Sequence, residues 1–66
     1  MVEKILRIFW MLPPKVQKAL NTHAPGYNKD VYDILYFYTE KQLCNIYGIS
    51  TKGAKAIINA RKKVQQ

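Results

Sequence analysis

The residues best suited to chemistry lie in the last third of the chain. All four acidic residues (Glu3, Asp30, Asp33, Glu40) fall in the first forty positions, whereas Lys41 to the C-terminus carries six basic residues and no acidic one. The formal charge of +7 is therefore concentrated at one end, which points to an anionic partner for that end. At 100° per residue, Lys52, Lys55, Asn59, Lys62 and Lys63 share an arc of about 100° on one helix, opposite Ala54, Ile57, Ile58 and Arg61. Just upstream stands Gly48-Ile49-Ser50-Thr51, where a chain reversal calls for positive φ at the glycine. Such a turn leaves the N–H groups from Ser50 to Gly53 unpaired at a helix start, a site sized for one phosphate. Contacts of this kind hold a nucleic-acid backbone without reading its sequence. Arg61 falls on the apolar side and is expected to pack its stem and pair with a carboxylate or a helix end.

Other reactive residue types are sparse. His23 is the only histidine and stands beside Ala24-Pro25-Gly26, which suits a surface or capping role. Asp30 and Asp33 fit the start of a helix, where the macrodipole favours negative charge. There is no phosphate loop, metal-ligand spacing or nucleophile arrangement, so no enzymatic activity, cofactor or metal is expected. The single cysteine, Cys44, excludes a disulfide framework within the chain. Its apolar surroundings predict a small buried hydrophobe and fit a reducing compartment.

Positioning the basic end requires a scaffold, and 66 residues make one domain with a small core. The punctuation predicts an all-α bundle of about five short helices. The first runs from Val2 to Met11, with Ile5, Ile8, Phe9 and Leu12 inward, and stops at Pro13-Pro14. The second starts at Pro14, buries Val16, Ala19 and Leu20, and ends at Ala24-Pro25-Gly26. Asn28 caps a third across Asp30 to Phe37, with Val31, Ile34 and Leu35 inward. Thr39-Glu40-Lys41-Gln42 is a capping box opening a fourth, whose inner residues are Leu43 and Ile46 and which Gly48 breaks. Ser50 caps a fifth that reaches about Val64. Residues 1–38 then serve as scaffold, with a candidate degenerate first hairpin near 24–28, and residues 39–64 carry the function.

The stretch from Leu43 to Arg61 resembles the helix-hairpin-helix DNA-binding family. That pattern is a leucine, an aliphatic three residues later, Gly-aliphatic-Gly, an alanine four residues on, one or two aliphatics and often a terminal arginine. Leu43, Ile46, Gly48, Ile49, Ala54, Ile57, Ile58 and Arg61 fall in that register. The second hairpin glycine is Ser50 here, a good N-cap whose hydroxyl can donate to a phosphate, and Gly53 stands where a basic side chain is common. The resemblance implies non-sequence-specific DNA binding through the phosphate backbone by Gly48, Ile49, Ser50, Thr51, Lys52, Gly53, Lys55, Asn59, Lys62 and Lys63. It also implies an accessory module of a larger DNA-processing or chromosome-associated protein, working inside the cell with DNA. A second hairpin around Gly26 would make a pseudo-duplicated, two-hairpin domain.

The competing reading is a small protein-interaction module. Trp10, Tyr32, Tyr36, Phe37, Tyr38 and Tyr47 are many rings for so small a core, and aromatics are enriched at interfaces. Core filling with hydroxyls reaching solvent accounts for them equally simply, and is the favoured reading. The apolar run Ile5–Leu12 is too short to span a membrane, contains Arg7, ends at a double proline and lacks a following small-residue cleavage site, so no membrane association is expected.

Overall fold

In a computed structural model, residues 2–65 are described and form five helices with no strand among them. They are α1 (Val2–Phe9), α2 (Pro14–His23), α3 (Lys29–Phe37), α4 (Glu40–Cys44) and α5 (Thr51–Gln65). The main packed pairs are α4 with α5, α1 with α3, and each of α1 and α3 with α5. α5 is thus the central post. Its Ala54 and Ile57 are fully buried, and they meet Ile5 and Ile8 of α1, Leu35 of α3 and Leu43 of α4 in one core cluster. Among the described residues no charged or polar one is buried with them. Burying an aliphatic side chain of this kind contributes about 1.5–3 kcal/mol, which is how so few residues hold one fold.

Each helix boundary has a local cause. α1 ends two residues earlier than its apolar pattern predicts, because Met11 and Leu12 switch to tighter turns, their N–H groups donating to Ile8 and Phe9. Gln17 secures that corner, its side-chain amide donating to Phe9 O at 2.9 Å and Leu12 O at 3.1 Å. Asn28 caps α3 by accepting from the N–H groups of Asp30 and Val31. Thr39 and Gln42 form the expected reciprocal capping box on α4. α4 is only one turn long, ending at Cys44 rather than running to Gly48. Asn45, Ile46 and Ile49 then carry the chain through successive tight turns.

That brevity overturns the expectation for Cys44, which is exposed. Leu43 and Ile46 occupy the inward face, and Cys44, one step round from Leu43, points away from it.

Arg61 takes the structural role expected of it. Its Nε donates to Leu35 O at 2.7 Å and an Nη to Ile34 O at 3.3 Å, so it caps the C-terminal end of α3 rather than pairing with a carboxylate. Partial burial lowers the pKa of the guanidinium from its ordinary value, yet it stays far from neutral. The six rings divide evenly: Tyr32, Tyr36 and Tyr38 pack into the scaffold, whereas Trp10, Phe37 and Tyr47 are exposed, so core filling accounts for only half of them. Tyr32 and Tyr36 stack with centroids 4.6 Å apart, and Tyr32, Tyr36 and Tyr38 pack half-buried against the core. The Tyr36 hydroxyl donates to Lys4 O at 2.9 Å and ties α3 to α1. Burial and the neighbouring Tyr32 raise the Tyr36 pKa, a shift that Arg7 opposes.

Replacing Arg61 by alanine removes both donors at the end of α3 and is expected to cost about 1–2 kcal/mol. Lysine should recover only part, since one ammonium cannot reproduce the guanidinium fork. Thermal melts followed by circular dichroism give the order wild type, Arg61→Lys, Arg61→Ala; equal melting of all three would show that the two carbonyls need no donor.

Candidate nucleic-acid interface

The turn between α4 and α5 is shaped by what lies beneath it. Gly48 has φ +93°, a conformation costly for any residue with a Cβ. A Cβ at Gly48 would also stand 3.0 Å from the Cβ of Ala19 on α2. Ile49 turns inward and is buried, and its N–H donates to Ile46 O at 3.0 Å. Gly53, in the first turn of α5, is buried as well: a Cβ there would lie 3.0 Å from Val16 Cγ2 and 3.3 Å from Ile49 Cγ2. α2 therefore sits directly against both the reversal and the start of α5.

Above this seat the N-terminal amides of α5 are only partly satisfied. Ser50 is the cap: its Oγ accepts from Gly53 N at 3.4 Å, and its carbonyl accepts from Ala54 N at 2.9 Å. The N–H groups of Thr51 and Lys52 have no acceptor among the described residues. Beside this helix start lies a groove of about 540 Å³ lined by Pro13, Lys15 and Val16 on one side and by Gly48, Ser50, Lys52, Gly53 and Ala56 on the other.

The site residues expected from sequence fall into three groups. Ser50, Thr51 and Lys52 are exposed and lie together at the start of α5, with Gly48 beside them. Ile49 and Gly53 are buried with their N–H groups already used, so they support the turn and have no side chain to offer a ligand. Lys55, Asn59, Lys62 and Lys63 are all exposed along α5. By helical geometry Lys63 and Asn59 share the face of Lys52, whereas Lys55 and Lys62 lie roughly 60–80° further round.

Two exposed lysines join the site from outside that set. Lys15 lines the groove from α2, and Lys18 follows it on the same helix beside Tyr47 and Gly48. Nothing in the spacing of Lys15 and Lys18 sets them apart from ordinary solvated lysines; only the seat of α2 on the turn brings them here. The one hint is Ala19, a small residue in an otherwise larger apolar stripe. Among the described residues the ion pairs are Arg7–Glu3 and Lys29–Asp33, both within single helices, so Lys15, Lys18, Lys52 and Lys55 face solvent with no carboxylate against them. His23 is exposed at the far end of α2.

Comparison with protein-family models, curated proteins and solved structures finds no match to this chain. Among the described residues no helix is long and apolar enough to cross a membrane.

Gly53→Ala tests the seat. On helix propensity alone it should gain about 1 kcal/mol. Contact with Val16 and Ile49 is expected to cancel that gain or reverse it by about 1 kcal/mol. In a Val16→Ala background the clash is relieved and Gly53→Ala should stabilise, a coupling that a double-mutant thermal-melt cycle measures. A full gain in the otherwise wild-type protein would mean that α2 does not press on α5.

Proposed function

We propose that the chain binds DNA non-specifically through its phosphate backbone, with α4, the turn and α5 acting as a helix-hairpin-helix. The observation that carries this is the meeting, at one groove, of lysines from two helices with the start of α5, where two first-turn amides have no acceptor among the described residues. The amides of Thr51 and Lys52 and the positive end of the α5 dipole favour an anion, and Lys15 and Lys52 flank it. The Ser50 hydroxyl, which uses a lone pair to cap Gly53, keeps its proton for a phosphate oxygen. Lys63 and Asn59 extend the contact along α5, and Lys55 and Lys62 add field from the side. No base-reading element is needed, so the binding is independent of sequence. A single grip of this size suits an accessory module of a DNA-processing or chromosome-associated protein, working where DNA is, inside the cell.

The reading is confined to one hairpin. Gly26 also has positive φ, but α2 and α3 are not among the main packed pairs, and Asn28 already occupies the N–H groups of Asp30 and Val31. Asp30 and Asp33 would also repel a phosphate at that helix start. A second reading, a protein-interaction module, draws on an open apolar face of α1 formed by Val2, Leu6 and Trp10, the last 69% exposed. It accounts for that face but leaves the unpaired lysines unexplained.

The test is a salt titration of binding to a duplex of arbitrary sequence. If four lysines each meet a phosphate, log K should fall with log salt at a slope of about −3.6. Lys52→Glu with Lys55→Glu should abolish binding without changing the helical circular dichroism, and Lys15→Glu should weaken it and flatten the slope by about 1–2. Absence of binding by the wild type at low salt, or equal binding by the double variant, would overturn the reading.

A further inference from the structure

Among the described residues Tyr47 is the most exposed large hydrophobic one, at 95%. It sits between Ile46, which is buried, and Gly48, whose positive φ turns the chain, so the backbone directs the ring outward. Unlike Tyr32 and Tyr36, it stacks on no other ring among the described residues, and its hydroxyl has no partner there. It forms the wall of a notch of about 210 Å³ whose other sides are Lys15, Lys18 and Thr22 of α2 and the bare backbone of Gly48. Lys15 and Gly48 border this notch and the phosphate groove alike, so the two lie side by side.

We propose that the notch is a stacking site for one unpaired base, and that the protein prefers DNA carrying a single-stranded segment to continuous duplex. The inference rests on the DNA-backbone reading above. A base has a flat face that an exposed phenol ring can cover whatever its identity, and the phosphates flanking that base are the anions that Lys15 and Lys18 lack. The glycine matters on this side too, since a side chain at Gly48 would stand in the notch. In continuous duplex every base is already stacked inside the helix, so Tyr47 has nothing to cover. A single strand lying from the notch into the groove therefore meets the ring, the two α2 lysines and the α5 amides in turn, whereas duplex meets only the charges and the amides.

The experiment compares fluorescence anisotropy of an oligothymidylate of about fifteen nucleotides with that of a blunt duplex of equal length, for wild type, Tyr47→Phe and Tyr47→Ala. Wild type should bind the single strand more tightly than the duplex. Tyr47→Ala should lose roughly tenfold on the single strand and less than about twofold on the duplex, with Tyr47→Phe near wild type. A 2-aminopurine placed in the single strand should be quenched by wild type and not by Tyr47→Ala. The ring is solvent-exposed, so melting should be unchanged in both variants. Equal single-strand affinity for wild type and Tyr47→Ala, or an equal loss on both DNA forms, overturns the stacking site while leaving the backbone grip intact. Failure of wild type to bind either form at low salt overturns the backbone grip itself, and the stacking site with it.

Discussion

Gly53 lacks a side chain because Val16 occupies the space one would need, and Gly48 lacks one because Ala19 does. These two close approaches fix α2 against the reversal that opens α5, and the candidate site follows from them. Had Gly53 been a lysine, the basic stripe of α5 would be longer, but α2 would be held away and Lys15 and Lys18 would lie elsewhere. The chain gives up one charged side chain and about 1 kcal/mol of helix propensity at this position. In exchange it draws a second helix, with its own charges, to the edge of the same groove. Where function demands local deviation from the best helix-former, the compensation is commonly found in a neighbouring contact, and here that contact can be named.

Much of the architecture was legible from residue order because the signals are local. Caps at Asn28, Thr39 and Ser50, the double proline and the apolar spacing each act within one or two turns, and α1 to α4 have the expected inner faces, whereas α5 is rotated so that Gly53 and Ala60 join Ala54 and Ile57 inside and Ile58 is only half-buried. Failures arose where a helix is too short for periodicity to mean much. α4 is a single turn, so apolar neighbours around Cys44 did not imply burial, and the helix closed well before the glycine that looks like its terminator. The site was legible along α5 alone. Lys15 and Lys18 belong to it only through tertiary contact, and Gly53 reads as a missing contact until Val16 is seen above it. A linear pattern reports what a residue is next to in the chain, and these roles are decided by what lies across a helix interface.

The separation of structural from available charge sharpens the functional reading. Arg61 spends its donors on the Leu35 and Ile34 carbonyls, and Arg7 and Lys29 pair within their own helices. The cations left without a carboxylate include those bordering the groove and notch. Solvated lysines of like sign repel one another, and at low ionic strength their proximity lowers stability rather than raising it. Such an arrangement is relieved when an anion arrives, and a polyanion relieves several at once. Because each cation acts through solvent, the effect is weak singly and strongly salt-dependent in sum.

On the proposed reading, geometry favours a polyanion over a single phosphate. One phosphate could be met by the Thr51 and Lys52 amides with Lys52 alone, and neither α2 nor the far end of α5 would matter. Lys63 stands eleven residues beyond Lys52, about 16 Å along the helix at 1.5 Å per residue, and shares its face. Lys15 and Lys18 extend the positive surface in the other direction, past the turn and up to Tyr47. A positive track running from one helix, across a turn with free amides, to another helix is longer than any mononucleotide needs. Its length suits a chain of phosphates, and on the reading proposed above the exposed Tyr47 ring at its end would give that chain a preferred form rather than a preferred sequence.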